Sequence, residues 1–539
     1  MIRLAQLQAG QGRDSQAVSL LESARPLKEK TGQVEDLAKI QYELARIYRR
    51  LNRLEDARAT IEKTIEIIES QRLKIDDFDS RASYFASVHR YYALYIQVLM
   101  LLHAQEPDRG FMQLAFEASE KSKVRALLDL LSASKPGLSC AALLQKQLAL
   151  ADPGEAHVTE AAQAADATPV LKLREIQAEI ADDDTVVLEY ALGDEKSYVW
   201  VVDQQRIVAH ALPPVDQIRR LVRLYRNALI ARQPLPGENS LDEYQKRVRG
   251  ADLAYQVYAR RLSQLLLGPL ALGQAKRVLI VPDGPLQYIP LSALPLPEAS
   301  EDSAVLVSHH EVVTLPSASA LSTLRKAARK RTPPTSLAVI FADPVFERDD
   351  IRVLKNRRAS KKTREDRPSD LNIALRDVQG SQHIIRLEGS RKEARTIKET
   401  LGEKDVLVKQ DFAATRDFVL QGALDRYRII HLATHGIINA RHPEMSGLIL
   451  SLINEKGEKQ DGYLRLGDID KLKLSADLVV LSACESALGK DLESEGTIGL
   501  PRGFLHAGAR TVVASLWKVD DAATAKFMKG FYGRIQRGE

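Results

Sequence analysis

Two short apolar strings near the C-terminus constrain this chain more than any other feature. The first reads Arg428-Ile429-Ile430-His431-Leu432-Ala433-Thr434-His435-Gly436, the second Leu478-Val479-Val480-Leu481-Ser482-Ala483-Cys484-Glu485-Ser486. Each has the length of a strand and is apolar at successive positions, as strands covered on both faces of a parallel sheet must be. Each also ends in one reactive side chain. His435 precedes a glycine, and Cys484 enters a small polar turn; they lie 49 positions apart. A Cys ending an apolar strand is ordinarily a small buried hydrophobe, and a His there is ordinarily just hydrogen-bonded. The information is in the pair, because a thiolate is a nucleophile and an adjacent imidazole eases its formation.

What surrounds the pair is ordinary globular protein. At 539 residues, with 45% hydrophobic and 28% charged residues, the chain has room for two to four domains. No apolar run approaches membrane-spanning length. Met1-Ile2-Arg3-Leu4-Ala5-Gln6 lacks the apolar core of a signal peptide. Two cysteines, Cys140 and Cys484, make no disulfide framework and fit a reducing, cytoplasmic setting. The net charge is +5, and residues 347–368 hold nine Lys/Arg against five Asp/Glu. Without a basic face interleaved with aromatics, neither a nucleic-acid nor a membrane partner is expected. His431 and His435 are four apart, but that spacing binds metal on a helix with a Glu beside the first His. Here Leu432 occupies that position and the string reads as a strand, so no metal is assigned. His442 reads as structural. No phosphate-binding Gly-x-x-x-x-Gly-Lys string is present, and no cofactor is expected.

Taken in order, residues 1–135 read as paired helices. Leu44, Ala45, Tyr48, Ala57 and Ile61 repeat the pattern of Leu4, Ala5, Gln8, Ala17 and Leu21, a shift of 40 positions. Small residues at Ala17 and Ala57 mark close helix crossings. A longer third unit carries Tyr84, Val88, Tyr91, Tyr92, Tyr95 and Val98 as packing residues. Residues 136–170 are a linker. Residues 171–344 begin with a short helix, Leu171–Ile180, followed by a hairpin, Val186–Leu192 and Tyr198–Val202. Helical patterns at 215–231 and 241–267 follow, then strands ending at Asp283 and Asp343, both read as Asx turns. Residues 345–386 are a charged, solvated loop insertion. Residues 387–539 alternate regularly. Ser390 caps a helix to Leu401, Thr415 caps another, a strand covers 448–452, a helix covers 496–507, and Asp520 or Asp521 caps the last helix.

The catalytic strings match a known spacing: a His followed by a Cys after a small residue, about 50 positions on, as in caspase-type peptidases. Both strings resemble the CHAT family, a caspase- and separase-like group. Leu188-Glu189-Tyr190, Pro282-Asp283-Gly284-Pro285-Leu286 and Trp517-Lys518-Val519-Asp520-Asp521 resemble it as well. The N-terminal pattern resembles tetratricopeptide repeats. The implied fold is α plus α/β: helical repeats, then a caspase-like region of mostly parallel sheet with flanking helices. That region has a non-catalytic half (171–344) and a catalytic half (387–539), and typical CHAT domains continue past this C-terminus. The implied activity is that of a cysteine endopeptidase with His435 and Cys484 as its dyad. Backbone N–H groups of Gly436 and Cys484 would form the oxyanion hole, and the repeats would recruit a protein substrate or partner. Asp521 matches a separase position that selects a basic P1 side chain; Glu485 and Glu495 are weaker acidic candidates. The alternative is an inactive repeat–CHAT scaffold for protein–protein interaction.

Overall fold

The computed structural model describes residues 1–31, 33–72, 78–123, 170–233, 240–298, 304–329, 331–356, 371, 384–422, 424–437, 445–483, 490–492, 496–517, 519 and 521–539. At 71–72, 78–88, 490–492, 496–498 and 521–522 the description is of backbone only. The chain divides into two units, Met1–Thr323 with Leu492–Gly496, and Leu324–Asp491 with Thr497–Glu539. Most of the 136–170 linker, the basic cluster at 357–364, His442, Glu485 and Glu495 lie outside the described residues.

The first unit opens with six helices: α1 (Ile2–Gly10), α2 (Asp14–Thr31), α3 (Val34–Arg50), α4 (Leu54–Arg72), α5 (Phe78–Gln105) and α6 (Phe111–Ser122). The repeat is visible in the backbone. The α1–α2 turn puts Gly12 at φ 76°, and the α3–α4 turn puts Asn52 at φ 58°. Glycine and asparagine tolerate this left-handed conformation. Each turn closes with an equivalent bond, Arg13 N–H to the Gln8 carbonyl (2.9 Å) and Arg53 N–H to the Tyr48 carbonyl (2.8 Å). All these positions are shifted by the 40 residues that separate fully buried Ala17 and Ala57. Tyr91, Tyr92 and Val98 are buried, as helix packing requires.

These helices cover one face of a five-stranded sheet: β1 (Thr185–Ala191), β2 (Ser197–Val202), β3 (Ile207–Leu212), β4 (Arg277–Val281) and β5 (Glu311–Thr314), in the order β3-β2-β1-β4-β5. The first three form an antiparallel meander, and β4 and β5 run parallel to β1. Strand alternation sorts the side chains into two cores. Val187, Trp200, Val202, Leu279 and Val281 join the helical repeats, and the Phe116 ring meets Trp200 edge-on at 6.0 Å. Val186, Leu188, Tyr190, Val199, Val278 and Ile280 pack on helices Val215–Leu229 and Leu241–Leu266. The edge strands β3 and β5 have no counterpart in the sequence reading. β5 is short and half-exposed and lacks the continuous apolar signal of β1 and β4, whereas β3, Ile207-Val208-Ala209-His210-Ala211-Leu212, carries a nearly unbroken apolar run.

Two buried acids tie this unit together. Glu120 of α6 accepts the backbone N–H groups of Ala318 and Ser319, each at 3.0 Å, at the start of the helix Ala318–Arg329. Glu189 of β1 sits 3.0 Å from the Lys123 ammonium, which also donates to the Tyr190 carbonyl (2.7 Å) and Ser119 Oγ (3.0 Å). Burial outweighs the attraction of Lys123 and pushes the Glu189 carboxyl up to about 8. Asp283 makes no Asx turn. Its Oδ2 accepts the Leu192 N–H at 2.6 Å, joining the end of β4 to the end of β1.

The second unit has a five-stranded, wholly parallel sheet of β6 (Ser336–Pro344), β7 (Val406–Asp411), β8 (Tyr427–Ala433), β12 (Leu478–Leu481) and the strand Thr511–Ala514. The last lies beside β12, followed by β8, β6 and β7. β6 thus pairs with strands of the C-terminal half, although the sequence reading assigns 336–344 to the half before it. Helices Glu388–Leu401 and Asp521–Gln536 cover one face through Ala394, Ile397, Met528 and Tyr532. On the other, Phe418 meets Phe341. A small antiparallel sheet of β9 (His435–Ile437), β10 (Gly447–Ile449) and β11 (Tyr463–Arg465) follows β8.

Thr415 caps the helix Arg416–Leu420, accepting from Phe418 N–H. Ser390 does not cap: it lies inside Glu388–Leu401, and its Oγ accepts the Asp343 N–H at 2.8 Å. The C-terminal helix expected over 496–507 begins only at Leu500. Among the described residues no helix is long and apolar enough to cross a membrane.

Candidate active site

β8 and β12 are neighbours in the parallel sheet, pairing Ile429 with Leu478 and so on to Leu432 with Leu481. Every pair is offset by 49 positions, the interval between His435 and Cys484. The spacing seen in the sequence is therefore the register of two adjacent strands. From the last pair, three further residues on each string reach His435 and Cys484. Cys484 itself lies outside the described residues. The chain entering it is held at two points: Ser482 Oγ donates to Glu393 Oε2 at 3.2 Å, and Ser515 Oγ donates to the Ala483 carbonyl.

His435 opens β9 opposite Ile449, and Gly436 lies opposite Leu448. The His435 ring rests against Phe346, with centroids 5.2 Å apart. Its Nε2 is 2.6 Å from the carbonyl oxygen of Ile385. A carbonyl only accepts, so Nε2 carries the hydrogen. This orienting group is invisible in a sequence, because every residue has a carbonyl. The segment presenting it is fixed on both sides. Ile384 N–H donates to Glu347 Oε1 at 3.1 Å, and Arg386 grips Asp343 with two bonds of 3.0 and 2.8 Å.

Asp343 is the hub of a larger charge cluster. It is fully buried, at φ 46°, near the C-terminal end of β6. It also meets Arg352 Nη1 (3.1 Å) and Arg391 Nε (2.8 Å). Asp411, at φ 55° at the end of β7, accepts from Arg352 at 2.6 Å and from Arg391. Asp350 accepts from Arg352 Nε at 2.9 Å. Burial pushes the Asp350 carboxyl up, but its bonds from Arg352 overcome this and hold it below the usual range. The Asp343 bond raises the Arg386 guanidinium. The Asx-turn reading of Asp343 is therefore wrong. Within the stretch 347–380, read as a solvated loop, Val353 and Leu371 are buried and the Arg352 side chain is 12% exposed. Between 346–351 and 384–386 lies a cavity of about 230 Å³, walled by Phe346, Ile351, Ile384 and Ile385 and bearing Glu347, Asp349, Asp350 and Arg386.

His431 lies one layer deeper and is fully buried. Its Nδ1 is 2.9 Å from the Tyr532 hydroxyl, and its Nε2 is 3.1 Å from Glu393 Oε1. Burial raises the Tyr532 hydroxyl pKa well above its usual value, and the Glu393 charge adds to this. Asp521 is the first residue of the last helix; its side chain is outside the description.

Comparison with known proteins gives one family match. Residues 256–539, over half of the chain, match the model of the CHAT domain. Tetratricopeptide repeat protein 28 of Mus musculus is 24% identical over 327 residues, and that of Homo sapiens is 24% identical over 324. Each alignment covers 52% of this chain and 12% of the relative, so the chain spans a small part of the length of these curated relatives.

Proposed function

The chain belongs to the CHAT-domain family, a caspase-like peptidase family, and from that premise we propose that it is a cysteine endopeptidase acting through His435 and Cys484. The observation that carries this is the β8–β12 register, in which the offset between paired residues equals the His–Cys spacing. With Nε2–H given to Ile385, proton exchange falls to Nδ1 of His435. His435 takes the Cys484 proton, and the thiolate attacks the scissile carbonyl. Backbone N–H groups of Gly436 and Cys484 receive the oxyanion, a contribution of about 2.7–4 kcal/mol per donor. His435 then protonates the departing amine, and water, deprotonated by His435, releases the acyl group from sulfur.

The lean towards a basic P1 residue rests on Asp521, and the carboxylates of Glu347 and Asp349 in the neighbouring cavity support it. The helical repeats would bring a substrate or regulatory protein in a cytoplasmic setting. A second reading, an inactive scaffold, draws on the core that the repeats share with the first sheet, which makes the array a continuous binding body.

A peptide library incubated with wild type and Cys484→Ala separates the two. The peptidase reading expects cuts that vanish in Cys484→Ala, and no Cys484-dependent cut, with or without candidate partners, overturns it. Asp521→Ala is expected to weaken cleavage after Arg or Lys about tenfold; an unchanged preference removes that assignment.

A further inference from the structure

We propose that Arg386 and Asp343 are positioning residues, a clamp that sets the tautomer of His435 by holding the Ile385 carbonyl against it. The inference rests on the reading of His435 as the proton-handling residue but not on any cut being made.

Imidazole has two nitrogens, and only the one left without hydrogen can take a proton. Which one that is depends on what the other donates to. Here the partner is a backbone carbonyl, 2.6 Å from Nε2. A carbonyl on an irregular segment is a poor anchor unless the segment is fixed. Ile385 belongs to no helix or strand, and its side chain is 72% exposed, so side-chain burial does not hold it. Its neighbours do. Ile384 is buried, with its N–H on Glu347 Oε1. Arg386 makes a two-pronged bond to Asp343.

A bidentate guanidinium–carboxylate pair fixes orientation as well as distance, which one ammonium contact cannot do. Asp343 is in turn immobilised by Arg352 and Arg391 and by its own N–H on Ser390 Oγ. The chain of contacts runs from the rigid end of β6, through Asp343 and Arg386, to the Ile385 carbonyl and then to the ring. Phe346, two residues beyond β6, supports the other side of that ring. One strand end therefore supplies both the carboxylate that anchors the carbonyl and the aromatic face that limits ring rotation.

The test reads the tautomer directly, by nitrogen NMR of the full chain labelled at histidine, with His435 assigned through His435→Gln. Wild type is expected to show a single Nε2–H form. Arg386→Lys keeps the charge and loses the fork, and it is expected to give a mixture in which the shifts of the two ring nitrogens converge. Arg416→Lys breaks a comparable fork, to Asp468, without touching Asp343 or 384–386 and is expected to leave the signature unchanged. If Arg386→Lys does not fold, Glu347→Ala loosens the other side and is expected to act in the same direction. An unchanged tautomer in a folded loosening variant, or an equal change in Arg416→Lys, overturns the clamp. A chain that cuts nothing but shows the expected shifts keeps the clamp and loses the peptidase reading.

Discussion

Each of the two five-stranded sheets has an aspartate just past or near the C-terminal end of a central strand, and the two aspartates do different work. Asp283, after β4, has ordinary extended geometry and gives one oxygen to one backbone N–H, that of Leu192. Asp343, in β6, has a left-handed backbone and meets three arginines. The surroundings differ in the same way. The first sheet is closed on one face by the helical repeats and on the other by two long helices. At its strand end Asp283 ties β4 to β1 through the Leu192 N–H. The second sheet is covered by its own helices, and its strand ends carry the charge cluster, the cavity and His435. Two sheets of similar size thus end very differently. What separates them is the amount of charge and irregular backbone gathered at the ends of the parallel strands.

The largest effect that would test this contrast is expected at Asp343. Asp343→Ala takes the two-pronged partner from Arg386 and one counter-charge each from Arg352 and Arg391, which keep Asp411, a loss of about 3 kcal/mol, at the low end for a broken buried pair, measurable by urea denaturation. Asp283→Ala orphans one buried N–H, at a cost of about 1–3 kcal/mol. Equal losses at the two positions would break the comparison.

A smaller effect belongs to the first sheet alone. The Glu189 carboxyl is raised to about 8 in the folded chain from an ordinary 4.5, chiefly by its burial. A native state whose acid has the higher pKa binds more protons than the unfolded chain. Stability from this group is therefore full below about 4.5 and falls as pH rises to about 8. Wild type is expected to melt lower at pH 8 than at pH 5.5 through this group. Glu189→Gln is expected to flatten that slope, and an undiminished slope would assign the pH dependence elsewhere.

Much of the fold is legible in the amino-acid order, and the reasons are local. Val480, His431 and their neighbours lie in strands buried on both faces, which need unbroken apolar runs. The helix turns at Gly12 and Asn52 recur with the same spacing as Ala17 and Ala57, because a repeat preserves its backbone as well as its core. The edge strand β5 leaves no comparable trace, because a short half-exposed strand needs no such run, while β3 does carry one. Ser390 misleads because a serine near a helix start suits a cap, while here its hydroxyl serves a strand 47 residues earlier in the chain.

By itself, then, the sequence determined the helical repeat, the strand strings, and the 49-residue interval that is a strand register. Periodicity and apolar runs are consequences of burial and leave their trace residue by residue. Only the tertiary structure decided which aspartate became a hub and which a pin, since both occupy similar strand-end strings. It alone supplied the Ile385 carbonyl that orients His435. That group is backbone, common to all residues, and it acquires a role only because residues 50 positions apart in the chain are brought within hydrogen-bond distance.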